Sequence, residues 1–497
     1  MSLERELKLV VPPTFRMPSL DLALLGISPV ALEPRFLEAV YFDTADLRLA
    51  RWGASLRHRA GEGWTVKLAA GGEGDVLIRQ EHVFPGDDPT FPPPLASELV
   101  RAFSRTSPLM PIAHVGTLRT PIQLWTDEGV LVAEVVDDDV TVRNDGMVSG
   151  RFREVEVEMY ESCPDQVAAA IETRLRSAGA GVAAALAKHL RALGYAASPS
   201  GEIEVAALPS APTAGDVIGR AIATSVDRLI RHDAVVRLDT DPEGVHQARV
   251  ASRRLRSDLR TFAPMLDPTW VETTREDLRW LGEVLGGARD TDVLLERLRG
   301  RVEGLPDLEQ PGGAVILDAL TLADKEAHAA VLDALRSERY AAFLEGLVVA
   351  ASVPPLAPSA SAPAREALPP LVRGPFRSLE KAVRRAGKDA SDEALHRIRI
   401  CAKRARYAAE AVAPAVGLPA SRFAEVAAEL QGLLGEHQDA VVAAGWLRAW
   451  AASGTSIDAA FAAGTIAGLE RAEAEAMRKG WKRVWRRLDD PKSRRWM

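Results

Sequence analysis

Glu4, Glu6 and Lys8 fall at every second position of the opening stretch "ERELK". In an extended strand, residues two apart share a face, so two carboxylates and an amine would point the same way. The spacing recurs in Arg57 and Arg59 of "LRHR", in Arg79 and Glu81 of "IRQE", and in Glu154, Glu156 and Glu158 of "REVEVEM". Glu134 and Asp138 also share a face, and valines with Met159 stand opposite the three late glutamates. One such strand would be a solvated face. Several strands carrying both signs point to a shared polar cavity, which must take a ligand because buried unpaired charges are costly. Carboxylate oxygens suit hard divalent cations such as Mg²⁺ or Mn²⁺. Arginine and lysine suit phosphate oxygens, and arginine can bind them in a bidentate manner.

The elements that would position these residues are short and alternating. Segments such as "LEAVYFDT", "WTVKLAA", "VLIRQEHVF" and "VLVAEVVDDDVTVR" run from residue 3 to about 160, punctuated by Gly, Pro and Asp. That texture predicts an antiparallel sheet or barrel, and closing it would turn the charged faces into one lumen. Helical patterns follow in "DQVAAAIETRLRSA" and "VAAALAKHLRALG". Residues 198–212 read as a linker, and from 213 to 497 the spacing is helical almost throughout. A Pro/Ala/Ser-rich stretch at 351–370 divides that helical half. The expected fold is α+β and multidomain, an N-terminal antiparallel β-barrel tunnel with flanking helices over 1–197 and an all-α domain of two related bundles over 213–497.

A chain of 497 residues exceeds one typical core. Its two cysteines, Cys163 and Cys401, make no disulfide framework and no Cys-based zinc site. The charged opening does not resemble a signal peptide, and no apolar run is long enough to span a membrane, so a cytoplasmic protein is expected. Residues 1–200 hold 20 basic and 27 acidic side chains, and the remainder holds 42 of each. A globally basic nucleic-acid binder is therefore not indicated. Any polyanion must be held by local arrangement.

The ordered motifs of the first half resemble those of the CYTH domain, the triphosphate tunnel metalloenzyme superfamily. "ERELK" resembles its E-x-E-x-K signature and "YFDTADLRLARWGASLRHR" its Y-[YF]-D-T…LR-x-R segment. "WTVK", "REVEVE" and "AKHLRAL" resemble its T-x-K strand, its late Glu-rich strand and its late lysine on a helix. The resemblance spans about residues 1–195 and implies a metal-dependent triphosphatase or, more rarely, a class IV adenylate cyclase. It implies metal ligands among Glu4, Glu6, Glu154, Glu156, Asp138 and Glu158. It implies a triphosphate grip by Lys8, Arg57, Arg59, Lys67, Arg79, Arg119 and Lys188. The set expected to carry catalysis is Glu4, Glu6, Lys8, Arg57, Arg59 and Lys67. Phosphoryl transfer mainly needs positioning and charge neutralisation, so no covalent nucleophile is required. Neither cysteine has a nearby His suited to activate it, and His58, between Arg57 and Arg59, would face the other way.

The helical half repeats itself. "VHQARVASRRLRSDLRTF" at 245–262 aligns with "LHRIRICAKRARYAAEAV" at 395–412, and "LGGARDTDVLL" at 285–295 aligns with "LGEHQDAVVAA" at 434–444. His246, Arg249, Arg253, Arg256 and Arg260 form one helical stripe in the first copy; His396, Arg399, Lys403 and Arg406 match it in the second, until Glu410 stands where the first has Arg260. The pattern resembles the CHAD domain, named for conserved histidines in an α-helical fold, over about residues 213–490. That resemblance implies two four-helix halves binding inorganic polyphosphate through these stripes. His437 and Arg289 are further candidates, and Asp290 and Asp439 would orient basic side chains. The basic, Trp-containing tail "RKGWKRVWRRLDDPKSRRWM" suits either a polyanion contact or a capping amphipathic helix.

Three functions fit these residues. The preferred one is a metal-dependent triphosphatase, acting on inorganic triphosphate or a polyphosphate-related substrate, joined to a polyphosphate-binding module. The others are a non-catalytic polyphosphate-targeting protein and an adenylate cyclase. The expected partners are inorganic polyphosphate or triphosphate, with a nucleoside triphosphate as the open variant and no membrane or nucleic acid. The expected cofactor is Mg²⁺ or Mn²⁺.

Overall fold

Among the described residues, period-two alternation over the first 160 builds nine strands, β1 (Ser2–Val11), β2 (Ile27–Ala31), β3 (Arg35–Asp43), β4 (Ser55–Arg59), β5 (Gly63–Glu73), β6 (Val76–Phe84), β7 (Met110–Thr126), β8 (Leu131–Asn144) and β9 (Met147–Met159), and the two-residue β10 (Gly181–Val182) follows. The structure, a computed structural model, describes residues 2–73, 76–144, 146–182, 186–195 and 198–497, with the side chains at 2–4, 70–73, 76, 77 and 182 outside that description. The chain divides into two units, Met1–Glu202 and Ile203–Met497. The division lies within the expected linker 198–212.

In the first unit, strands pair antiparallel in the order β1-β6-β5-β4-β3-β7-β8-β9, and β9 pairs back onto β1 to close a barrel. β2 and β10 add to β7 and β1 outside the ring. The apolar side of the wall, with Leu7, Leu9, Val135, Val155 and Val157, packs under helix α1 (Asp165–Ser177) through Val167, Ile171 and Leu175. Alternation then sends Glu6, Lys8, Glu156 and Glu158 the other way, into the barrel.

The connection from β3 to β4 is held by Asp43. Its buried carboxylate accepts backbone N–H bonds from Thr44, Leu49 and Ala50 at 2.7, 2.8 and 3.0 Å. Leu47 in this turn adopts the left-handed conformation, φ 58°, which a non-glycine residue takes only at a cost. At the end of the unit, Glu202 accepts from the indole of Trp52 at 2.6 Å and from the buried Arg105 at 2.7 and 3.0 Å.

The second unit is helical: α3 (Ala214–Leu238), α4 (Pro242–Phe262), α5 (Pro268–Glu303), α6 (Gln310–Arg336), α7 (Glu338–Ser352), α8 (Arg373–Ala386), α9 (Asp392–Val416), α10 (Leu418–Ala452), α11 (Ile457–Met477) and α12 (Trp481–Leu488). A capping box opens α3, with Asp216 N–H donating to Thr213 Oγ1 at 3.2 Å and Thr213 N–H donating to Asp216 at 2.8 Å. α3–α6 and α8–α11 are the two four-helix copies, and matching caps, Asp241 and Ser391, start the helices that carry the two stripes. The stretch 351–370 forms short turns of helix between α7 and α8. The copies share a core in which Leu294, Leu298, Ile316 and Leu320 meet Ala443, Leu447, Ala463 and Ile466. The Trp-containing tail caps this unit: Trp481, Val484, Trp485 and Leu488 are buried, and Trp485 stacks on Phe376. Among the described residues no helix is long and apolar enough to cross a membrane.

Replacing Asp43 with Ala would leave three backbone donors of the β3–β4 turn without their acceptor while Leu47 stays strained. The variant should lose about 2–3 kcal/mol of stability, measured by urea denaturation of the full-length protein.

Candidate functional site

Every strand of the ring sends a side chain into one cavity of about 200 Å³, and helix α2 (Lys188–Ala192) closes on it with Lys188 and His189. Among the described residues, eight cationic side chains line it against six carboxylates. From the sequence candidates it gathers Glu6, Lys8, Arg57, Arg59, Lys67, Arg79, Arg119, Glu156, Glu158 and Lys188. Asp138 and Glu154 do not line it. Both are buried, within 2.6 and 3.2 Å of Lys188. The side chain of Glu4 lies outside the described residues, and His58 faces away, its Nε2 3.2 Å from the Gly86 carbonyl.

Strand register decides which charges meet. Lys8 stands opposite Glu156 across β1–β9, and Arg119 stands opposite Asp138 across β7–β8. Lys8 donates to Glu156 at 2.7 Å and lies 2.9 Å from Glu6. Arg119 binds Asp138 in a bidentate manner at 2.9 and 2.7 Å and donates to Glu156 at 2.7 Å. Lys188 donates to Asp138 at 2.6 Å and lies 3.2 Å from Glu154. Arg191 donates to Glu154 at 2.9 Å, its guanidinium 4.1 Å from the centre of the Phe152 ring. On the other wall Lys67 and Arg57 lie 3.4 and 3.7 Å from Glu81, and Arg59 donates to Glu62 at 2.7 Å.

Two carboxylate groups could hold a cation. Asp138, Glu154 and Glu156 bring oxygens within 4.8 Å of one another, but Arg119, Lys188, Lys8 and Arg191 already neutralise them. The second group is a row across three neighbouring strands: Glu6 stands opposite Glu158, and Glu158 opposite Glu134. Like charges directly opposite destabilise a sheet, yet all three line the cavity, and Glu6 Oε2 is buried without a hydrogen-bond partner. An all-oxygen donor set suits a hard divalent cation.

Electrostatics keep the cationic wall charged. Burial works against the ammonium of Lys188, but Glu156, Glu154 and Asp138 outweigh it and raise its pKa. Burial likewise opposes the charge of Arg119, and Glu156 and Asp138 hold it on. Burial opposes ionisation of Glu156, which Lys188, Lys8 and Arg119 restore, lowering its pKa. Glu134, which the sequence placed on one face with Asp138, lines the cavity, and so do Tyr41, His189 and Arg35, which sequence reasoning did not include in the site. Burial would raise the Tyr41 pKa, but Arg57, Lys188, Arg59 and Lys8 lower it. The Tyr41 ring stacks on His189, centroids 4.9 Å apart. Burial, with Arg79 and Lys8, pushes the His189 pKa down to about 3, so the ring is neutral, and its Nδ1 has no partner. Alternation could have flagged Tyr41, two positions before Asp43 in "YFDT". Nothing in the sequence could show that His189 meets it.

In the second unit the two stripes come together. Arg249, Arg253 and Arg399 all act on Lys403, whose pKa burial and these three charges bring down to about 7. Arg249 donates to Asp290 at 2.9 Å, and in the second copy Arg399 acts on Asp439. Gly286 and Gly435 lie beside the two arginines in matching places: a Cβ there would be in ordinary contact with the guanidiniums, at 3.9 and 3.6 Å. Arg253 donates to the Tyr407 hydroxyl at 3.0 Å. The histidines diverge. His246 lines a cavity of about 520 Å³ with Arg228, Arg253, Arg406 and Tyr407, whereas His396 lines another of about 620 Å³ with Arg397, Cys401 and Arg404. Glu410 ends the second stripe by accepting from both Arg406 and Arg254. His437 does not join the stripes: it is buried, its Nε2 3.0 Å from Asp392. Arg289 lies 3.6 Å from Asp292.

A charged antiparallel tunnel followed by a duplicated helical bundle defines the class of protein. A profile of the CYTH domain matches residues 2–184, and one of the CHAD domain matches residues 220–448. Over 485 residues the chain is 33% identical to an uncharacterized protein of Mycobacterium tuberculosis, covering 91% of this chain and 90% of that one. PptA from Streptomyces chartreusis is 26% identical, over 55% of this chain and 99% of its own, with a TM-score of 0.47. The CHAD domain of the plant Ricinus communis is 27% identical, over 58% of this chain and 96% of its own, with a TM-score of 0.47. The chain belongs to the family that joins a CYTH domain, of the triphosphate tunnel superfamily, to a CHAD domain.

The Lys403 environment sets a pH dependence with a definite sign. An unfolded chain keeps this proton into the ordinary lysine range, while the folded unit releases it near 7. Between those values the unfolded state holds more protons, so stability rises with pH and is lost as pH falls through about 7. Lys403→Met should remove this slope. Urea midpoints of wild type and variant, compared from about pH 6.5 to about pH 9.5, would show whether their difference shrinks as pH rises.

Proposed function

We propose that the protein is a metal-dependent hydrolase of inorganic triphosphate whose helical unit holds inorganic polyphosphate. The observation that carries the first part is the lining of the tunnel: among the described residues, eight cations against six carboxylates, with Glu6, Glu158 and Glu134 in a row across neighbouring strands. Arg57, Arg59, Lys67 and Arg79 would bind phosphate oxygens on one wall, with Lys8, Lys188 and Arg119 on the other. Glu6, Glu158 and Glu134, together with Glu156 and Glu4, would hold Mg²⁺ or Mn²⁺. When bound, such cations neutralise phosphate charge and lower the pKa of water. Asp138 and Glu154, although close enough to Glu156 to share a metal, would act chiefly by holding Arg119 and Lys188 in place. His189, neutral and facing the cavity, would offer a hydrogen bond to the substrate without adding charge. A cytoplasmic setting accompanies this reading.

The same lining favours an inorganic substrate over a nucleotide. Beside charged and polar groups, the described residues of its lining include only Ala187 and the Tyr41 ring, and that ring is already stacked on His189. The volume is below the roughly 300–1,000 Å³ of sites that enclose drug-sized ligands. This disfavours the cyclase reading. The polyphosphate reading rests on Arg249, Arg253, Arg399 and Lys403, cations of both copies gathered into one cluster.

Phosphate release from tripolyphosphate, ATP and long polyphosphate, with Mg²⁺ or Mn²⁺, tests the tunnel. Tripolyphosphate should be turned over fastest. Glu6→Gln should lower kcat on the order of 100-fold. Arg57→Ala should mainly raise KM, because it removes charge-assisted hydrogen bonds worth about 1.5–3 kcal/mol each. Wild-type turnover in both variants would refute the assignment.

Calorimetric titration of the full-length protein with long polyphosphate, metal chelated, tests the helical unit. Affinity should fall steeply with salt as counterions are released. Arg249→Glu with Arg253→Glu should abolish most of the binding. Salt-independent binding, or displacement of polyphosphate by duplex DNA of equal charge, would overturn this half of the reading.

A further inference from the structure

The two basic stripes are unequal, and the excess lies on one side. Glu410 closes the second stripe, but α4 continues past Arg253 with Arg256 and Arg260 on the same face. A five-residue connection, 263–267, then folds α5 back along α4, which brings Arg275 and Arg279 level with that end of α4. Arg404 of α9 completes the group, since its charge acts on both Arg256 and Arg260. None of the five guanidiniums forms an ion pair or hydrogen bond among the described residues. The Nε of Arg275 is buried without a partner. Five like charges from three helices oppose folding, in a chain whose net charge is −7.

We propose that Arg256, Arg260, Arg275, Arg279 and Arg404 form a second phosphate-binding surface, onto which a long polyphosphate chain runs from the Arg249–Lys403 cluster. The inference rests on the polyphosphate reading of the helical unit and adds to it a direction and a length dependence. A short chain is held at the shared cluster alone. A longer one leaves it along the first copy, because at the other exit Glu410 already occupies Arg406 and Arg254. Mutual repulsion marks how open the surface is to an anion: burial and the charges of Arg404, Arg275 and Arg256 bring the Arg260 pKa down to about 10. A single-stranded nucleic acid would need a ring for its bases to stack on. The aromatic side chain next to Arg279, Trp280, is covered by Arg339, whose guanidinium lies 4.3 Å from the ring centre.

The test compares long polyphosphate with a short oligophosphate on the full-length protein, metal chelated, over a salt series. In Arg275→Glu/Arg279→Glu/Arg404→Gln, affinity for the long chain should fall at least about tenfold, and its salt slope should fall by about two, at roughly 0.7 per lost phosphate contact. Affinity for the short chain and turnover of tripolyphosphate should stay as in the wild type. Arg279 and Arg404 are exposed, so Arg279→Gln/Arg404→Gln keeps the test readable if the triple variant does not fold. Equal affinity of wild type and variants for the long chain would overturn the inference and leave the polyphosphate reading standing. No binding of either chain by the wild type would overturn that reading, and the inference with it. Loss of duplex DNA binding in the variants, with polyphosphate binding unchanged, would overturn the inference in favour of a nucleic-acid partner.

Discussion

Charges cannot be enclosed in a protein unless each finds an opposite one, and the interior of this barrel is built under that constraint. Arg119 is the clearest case. It is buried, and it binds Asp138 with two hydrogen bonds and Glu156 with a third. Lys188 and Lys8 complete the arrangement from α2 and β1. Removing one member would strand the others, since an uncompensated buried charge costs several kcal/mol. The network therefore specifies strand register as well as charge: slipping β9 by one residue against β1 would turn its glutamates into the apolar layer under α1.

The carboxylates at the edge of that network are as informative as those at its centre. Asp138, Glu154 and Glu156 are answered by cations of the chain itself. Glu6, Glu158 and Glu134 stand side by side on neighbouring strands and are answered less fully. A fold selected for stability alone would not keep three carboxylates in a row. The cationic excess on the opposite wall has the same character. Both make physical sense when a polyanion and a divalent cation enter together, each neutralising what the other leaves.

The helical unit meets the same constraint by duplication. Each copy presents an arginine, Arg249 or Arg399, that reaches past a glycine toward an aspartate on the next helix, Asp290 or Asp439. Bringing the copies together concentrates like charge around Lys403 to the point where its proton is held only weakly at neutral pH. The cores offset this cost: Leu294, Leu298 and Ile316 of one copy pack on Leu447 and Ile466 of the other. Apolar burial between the copies holds in place a surface that its own charges would push apart.

The barrel, its strand alternation and the helical duplication were all legible in the sequence, because side-chain direction in a strand or helix follows from spacing alone. Period two set Glu6, Lys8, Arg57, Arg59, Glu156 and Glu158 on common faces, and the offset of the repeats paired Arg249 with Arg399. Sequence could not say which charges would be spent on one another. Asp138 and Glu154 share the spacing of cavity residues, yet the register of β7, β8 and β9 buries them against Arg119, Lys188 and Arg191. His189 and Tyr41 lie far apart in the chain and meet only because α2 closes on β3. His437 sits in a repeated segment, but helix packing turns it onto Asp392. Arg275, Arg279 and Arg404 belong to no stripe and gather only where α4, α5 and α9 converge. Spacing fixes the direction of a side chain within its own element; its partners depend on how elements pack, and for charged groups partners decide whether a residue holds the fold together or remains open to a ligand.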